Sequence, residues 1–174
     1  EDSKTRIWVG TAKGLHRFDH SAHQFRNILL PQNLRGGPQP AIRSITGLKN
    51  GHLLLGSSDD GLIEYDPQSG TCRQYIHSDT DLFSISSNLI RSILRSKNGQ
   101  FWVGSINGGL DCFDPATGRF YNYQNEPDNP QSLSQRTVSA LYEDNQGNLW
   151  IGTHRGGVNL YMPKTEKFEL YRQE

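Results

Sequence analysis

The chain has 174 residues, enough for a single domain on length alone. Its 18 basic and 18 acidic residues cancel, which gives no support for a nucleic-acid or membrane-surface partner. No apolar run approaches the roughly 20 residues needed to span a bilayer.

From the amino end, Thr5 to Asp19 reads TRIWVGTAKGLHRFD. The pattern returns as NGHLLLGSSDDGLIEYD (Asn50 to Asp66), NGQFWVGSINGGLDCFD (Asn98 to Asp114) and NQGNLWIGTHRGGVNLYM (Asn145 to Met162). The glycine closing each apolar run falls at Gly10, Gly56, Gly104 and Gly152, at intervals of 46, 48 and 48 residues. A fixed period of this size is the signature of a repeat architecture.

The third copy shows what one period must build. Phe101-Trp102-Val103 is a short aromatic and β-branched run after a Lys-Asn-Gly turn signal, which predicts a strand. The run does not alternate, so both of its faces are expected to be buried. Ser105 to Gly109 has loop chemistry, and Leu110 to Phe113 is the next strand. Asp114-Pro115-Ala116-Thr117-Gly118 is a tight turn, with Pro presetting φ and Gly supplying φ > 0. Arg119 to Tyr123 alternates and forms a third strand. Leu89 to Leu94, which precedes the motif, is the fourth; its counterparts are Ala41 to Leu48 and Thr137 to Tyr142.

Each period is thus four short antiparallel strands and no helix. A sheet buried on both faces needs a like neighbour on each side, and radial repetition of such sheets is an all-β fold, the β-propeller. Blade one should span about 6–30 and lack its inner strand; blade two spans about 41–77, blade three about 88–125 and blade four about 136–173. Four such blades make an open arc, expected to be part of a larger propeller. Cys72 stands where the third copy has Phe120, as a small core residue would, and a disulfide with Cys112 stays open.

Three longer loops, Pro31 to Pro40, His77 to Asn88 and Asn125 to Arg136, join each outer strand to the next inner strand. By strand alternation they share one side of the disc with the short loops Thr11 to Gly14, Ser57 to Gly61, Ser105 to Gly109 and Thr153 to Gly157. Function concentrates on loops held by a rigid scaffold, so the candidate ligand-binding residues come from this side. They are Lys13, Arg43, Asp59, Asp60, Arg91, Asn107, His154 and Arg155. Arg43 and Arg91 begin inner strands at matching positions, and Arg136 lies just before one. Arginine forks match carboxylate and sulfate; the competing reading is solvated rim charges paired with Asp59, Asp60 or Asp81.

Other features read more plainly. Trp8, Trp102 and Trp150 lie mid-strand in apolar runs, which assigns them to the core between blades rather than to sugar stacking. His20 and His23 have metal-ligand spacing but fall in a tight turn, and no metal is assigned to them. Asp79 and Asp81 have the chemistry to accept sugar hydroxyls or hold Ca²⁺, but plain turn acids are the simpler reading. Phe83 is the only aromatic expected in the upper loops.

Together these residues resemble the two-component regulator propeller repeat. The resemblance is carried by Pro127 to Ser134, Val138 to Asp144, Gly147 to Thr153 and Gly156 to Tyr161, with Asp66-Pro67 and Asp114-Pro115 in the middle copies. Leu54 replaces the tryptophan of the other copies, Met162-Pro163 replaces Asp-Pro, and Asp19-His20 lacks the Pro and Gly. The resemblance implies the periplasmic sensor region of a hybrid two-component protein. In such proteins two seven-bladed propellers and a β-sandwich precede a membrane span and a histidine kinase. It implies an oligosaccharide or other small-molecule ligand and the remaining blades of the same protein as partners. Self-association is expected separately, from the two apolar blade faces that an open arc exposes, and no cofactor is assigned. The alternatives are an enzyme similar to streptogramin lyase, for which His154 is the only histidine in the short upper loops, and a structural scaffold for dimerisation. Fold alone does not decide among them.

Overall fold

A computed structural model describes residues 2, 5–35 and 37–171. They hold fifteen β-strands and no helix. The first sheet has three strands, β1 (Trp8–Thr11), β2 (Gly14–Asp19) and β3 (Gln24–Ile28). The second has four: β4 (Ile42–Gly47), β5 (Leu53–Ser57), β6 (Leu62–Tyr65) and β7 (Cys72–Tyr75). The third contains β8 (Ile90–Arg95), β9 (Phe101–Ser105), β10 (Gly109–Asp114) and β11 (Arg119–Tyr123). The fourth contains β12 (Val138–Glu143), β13 (Leu149–Thr153), β14 (Val158–Met162) and β15 (Lys167–Tyr171). Within each sheet the order is chain order and every pair is antiparallel, as in propeller blades. The first sheet thus has three strands where the other three have four. The expected end of blade four, about 173, lies outside the described residues.

Three clusters of buried side chains join the blades in chain order. Trp8 and Leu15 of the first blade meet Ile42, Leu53, Leu55 and Tyr65 of the second. Leu54, Leu62 and Tyr75 meet Phe101, Val103, Phe113 and Phe120. Trp102, Leu110 and Cys112 meet Leu149, Ile151, Tyr161 and Phe168. Fully burying one such side chain contributes about 1.5–3 kcal/mol, so these interfaces are the main cohesion of the stack. All five residues of β5 and of β9 are buried, as central strands with neighbours on both faces require.

The repeat glycine has a steric cause. A Cβ on Gly10, Gly56 or Gly104 would lie 2.5–2.6 Å from the inner strand of the following blade, at Ile42, Ile90 and Val138 respectively. At Gly152 the nearest heavy atom is the same blade's Ala140 Cβ, at 3.5 Å, and no following blade approaches.

The long loops do not simply lie on top. Each sends one apolar residue between blades: Leu34, Ile85 and Leu133 are 7 %, 0 % and 0 % exposed. The loop ahead of blade three also runs along its rim, where the Phe120 N–H donates to the Phe83 carbonyl at 2.9 Å. Phe83 packs edge-on to Tyr121 and lies under the Arg119 guanidinium. This corrects the sequence expectation: Phe83 faces the outer strand rather than the upper loops, because its carbonyl is bonded to that strand while Ile85 two residues on is anchored between blades two and three.

On the opposite side, Asp66 and Asp114 close their turns by accepting backbone N–H bonds from Gln68 and Ala116 and hydroxyl bonds from Ser69 and Thr117. The left-handed position of these turns belongs to Gly70 (φ 74°) and Gly118 (φ 76°), but to His23 (φ 50°) and Glu166 (φ 55°) in the outer copies. Trp8 and Trp102 are core, 9 % and 3 % exposed. Trp150 is only half-buried, since it faces away from blade three and rests on Tyr171. Trp8 and Trp150 each donate an indole N–H to the aspartate six positions earlier, Asp2 at 2.8 Å and Asp144 at 3.1 Å. Cys72 and Cys112 are free thiols.

Candidate ligand-binding face

The short upper loops share one closure. Each starts with a hydroxyl residue that donates to the carbonyl of the glycine ending the loop: Thr11 to Gly14, Ser57 to Gly61, Ser105 to Gly109 and Thr153 to Gly157, at 2.8–3.3 Å. In the complete blades the next N–H bonds to the residue preceding the inner strand: Ser58 to Ala41, Ile106 to Leu89 and His154 to Thr137, each at 2.9 Å.

Between that bond and the regular ladder lies one extra residue. Pairing shifts between Ile42 and Ser44, between Ile90 and Ser92, and between Val138 and Ala140. The bulged residues are Arg43, Arg91 and Ser139, spaced at the repeat period. A bulge re-aims the side chain it carries, and here all three line one cavity of about 290 Å³ together with Ser58, Ile90 and Ile106. Arg43 Nε donates to Ser58 Oγ at 2.6 Å. Among the described residues no carboxylate pairs with Arg43 or Arg91 within 4 Å.

The remaining candidates go elsewhere. Asn107, at φ 61°, bonds across to Thr137 of blade four and borders the loop of His154. Arg155, also left-handed at φ 61°, lines a separate cavity of about 740 Å³ with Glu126, Leu133, Ser134 and Leu170. Lys13 is exposed on its own turn. Asp59 is exposed; Asp60 is half-buried, and burial followed by the Asp59 charge raises its carboxyl, while Arg35 opposes them. The Asp60 carbonyl accepts from Gln74 Nε2 of the outer strand at 2.8 Å, and its carboxylate makes no ion pair with Arg43 or Arg91. Arg136 reaches Gln124 Oε1 at 2.8 Å and does not join the axial cavity. The candidate list therefore resolves into an axial pair, a seam between blades three and four, and isolated surface charges. Ser58, Ser139, Ile90 and Ile106 were missed. The 48-residue step from Arg43 through Arg91 to position 139 was the signal that could have found Ser139.

One buried acid was also missed. Asp111 is fully buried and accepts from Ser86 Oγ at 2.7 Å, from Ser86 N at 3.3 Å and from Asn122 Nδ2. Burial pushes its carboxyl up to about 7 against these donors. Asn159 does the same work in blade four, accepting from Ser134 N at 2.9 Å and donating to Ser134 Oγ. These polar clips tie the long loops to the blades that follow them.

The family model described as the two-component regulator propeller matches residues 84–107 and 132–155. No curated protein matches by sequence. Among solved structures, the chain is similar to the extracellular domain of the hybrid two component system BT3049 from B. thetaiotaomicron, at 20% identity and a TM-score of 0.82. That match covers 99% of this chain and 24% of the other. The corresponding domain of BT4673 from the same organism gives 23% identity and a TM-score of 0.50, covering 98% and 28%. Virginiamycin B lyase from Staphylococcus aureus gives 13% identity and 0.70, covering 98% and 53%. The chain thus spans about a quarter of the length of the two-component ectodomains it matches, and at these identities the likeness is one of fold.

Proposed function

We propose that this propeller segment is part of an extracytoplasmic ligand-sensing region of a hybrid two-component protein, detecting an oligosaccharide and signalling to a cytoplasmic histidine kinase. The observation that carries the reading is the coincidence of the two-component propeller repeat with an axial cavity built from one bulged residue per complete blade. The residues lining that cavity include no nucleophile with a base beside it, the pair that covalent catalysis uses. The reading gives the segment two kinds of macromolecular partner, further blades of its own protein and a second copy.

The test has two parts. A glycan array probed with the chain should light up one oligosaccharide class. The same glycan should switch kinase-dependent transcription in cells carrying the full-length protein. Turnover of a bound compound, abolished by His154→Ala, would instead assign the chain to the lyase-like enzymes that share its fold.

A further inference from the structure

We infer that the axial cavity binds a single oxyanion, the carboxylate or sulfate of an acidic sugar. The word sugar rests on the sensing reading above; the anion chemistry rests on the cavity alone. Arg43 and Arg91, from adjacent blades, line one space of about 290 Å³, and neither has a carboxylate partner among the described residues. Elsewhere in the same chain, Arg6 and Arg26 sit 2.7 and 2.6 Å from Asp2 and Asp19. The acids closest in sequence to the cavity wall, Asp59 and Asp60, make no ion pair with either arginine, and Asp60 feels Arg35 instead.

The fold does not need this arrangement. Position 139 carries serine at the same bulge, so the bulge forms without arginine. Two like charges beside one cavity repel each other, and an anion between them removes the repulsion.

The geometry also supplies orientation. The bond from Arg43 Nε to Ser58 Oγ, 2.6 Å long, restrains the guanidinium and leaves its terminal nitrogens to donate. Ser58 Oγ accepts that bond and keeps its own proton for a ligand oxygen. Ser139 offers a further hydroxyl from blade four, and Ile106 adds apolar wall against which a sugar's C–H face can rest. Forked donors flanked by hydroxyls suit carboxylate and sulfate. A long polyanion is disfavoured, because the chain as a whole carries no net charge to hold it.

The experiment follows the arginine Nε–H signals of the ¹⁵N-labelled chain during titration with glucuronate, glucose 6-sulfate and glucose. The expected result is a saturable shift of the Arg43 and Arg91 signals with one or both anions and none with glucose. Preference between the anions identifies the group. Arg43→Ala and Arg91→Ala should each weaken binding about tenfold or more, the loss of one charge-assisted bond pair. Arg136→Ala should leave it unchanged, since that side chain is held by Gln124. Thermal melts verify folding, and Arg91→Gln repeats the test should the alanine variant lose its fold. Absence of a saturable shift with either anion, equal shifts with glucose, or an Arg136→Ala loss as large as that of Arg91→Ala overturns the site. An anion that binds without altering kinase output in the full-length protein removes the sensing reading and leaves the site standing. A neutral oligosaccharide that drives output with Arg91→Ala unaffected does the reverse.

Discussion

Replacing Gly104 by alanine places a methyl carbon 2.5 Å from Val138 Cγ1, 2.6 Å from Ser92 Oγ and 3.1 Å from Val138 Cβ. Ordinary carbon contacts sit near 3.5–4.0 Å, so about 1 Å must be found between blades three and four. Val138 cannot swing away. It is β-branched, which restricts χ1, and it is fully buried in the cluster that joins these blades. Overpacking of this kind costs about 1–3 kcal/mol. The backbone at Gly104 is not left-handed, so no strain from φ is added. Gly152→Ala is the internal control: its Cβ meets only Ala140, at 3.5 Å. There the smaller entropy of the unfolded alanine chain should stabilise by up to about 0.4–1 kcal/mol. The two chemically identical changes should therefore differ by about 1.5–4 kcal/mol. At roughly 2–4 °C per kcal/mol for a chain of this size, calorimetry should separate their melting temperatures by several degrees. Val138→Ala removes Cγ1, so in a double-mutant cycle it should recover part of the Gly104→Ala loss. Equal melting temperatures for Gly104→Ala and Gly152→Ala would refute the claim that blade approach dictates the repeat glycine.

The buried acid predicts a pH dependence. The Asp111 carboxyl is raised to about 7, against about 3.9 in an unfolded chain, so the folded state binds the extra proton between those values. Its contribution to stability is complete below about pH 4 and is lost as pH rises through 7. Asp111→Asn should flatten this slope in urea titrations at pH 5 and pH 8 and stabilise the chain at the higher pH by a few kcal/mol, on the order of 1.4 per pH unit removed; an unchanged slope would rule out Asp111 as its source. His23→Gly and Glu166→Gly should each raise stability by about 0.5–1 kcal/mol. Relief of the left-handed penalty of about 1–2 kcal/mol outweighs glycine's entropy cost of about 0.5–1 kcal/mol, and lower melting temperatures would contradict this. Leu133→Ala should cost about 2–5 kcal/mol and expose residues 125–136 to faster hydrogen exchange; loss of stability without faster exchange would show that Leu133 does not pin the loop. The two end faces carry Ile7, Val9 and Phe25 on blade one and Tyr142, Val158 and Tyr171 on blade four, each 36–64 % exposed. Light scattering should find concentration-dependent self-association, reduced by Val158→Lys; a monomer at every concentration would remove self-association as a partner of these faces.

The repeat was legible because each of its signals is local. Strands such as Phe101–Ser105 are set by a few apolar residues between turn formers, and Asp114 with Gly118 closes a turn using atoms within five positions. The absence of an inner strand from blade one followed from counting along the period. The arginines at 43 and 91 were visible as matching positions for the same reason. That Ser139, not Arg136, completes their set was harder to see. A one-residue bulge changes which side chain turns toward the axis, and its register appears only when the ladder bonds are formed.

What tertiary structure alone decided lies between blades. Nothing in the sequence of Pro31 to Pro40, His77 to Asn88 or Asn125 to Arg136 says that each loop drives one apolar residue into a seam. That outcome depends on the gap left by two sheets packed at a given distance. Asp111 reads as an ordinary polar residue in a strand until Ser86, 25 positions earlier, folds back over it. Gly104 and Gly152 are the same residue in the same motif, yet only one touches the next blade. The sequence by itself determined the units and their order, because those rest on short-range chemistry. The packing of unit against unit decided which charges stay unpaired, which acid is buried and which face is left open, because those depend on atoms distant along the chain.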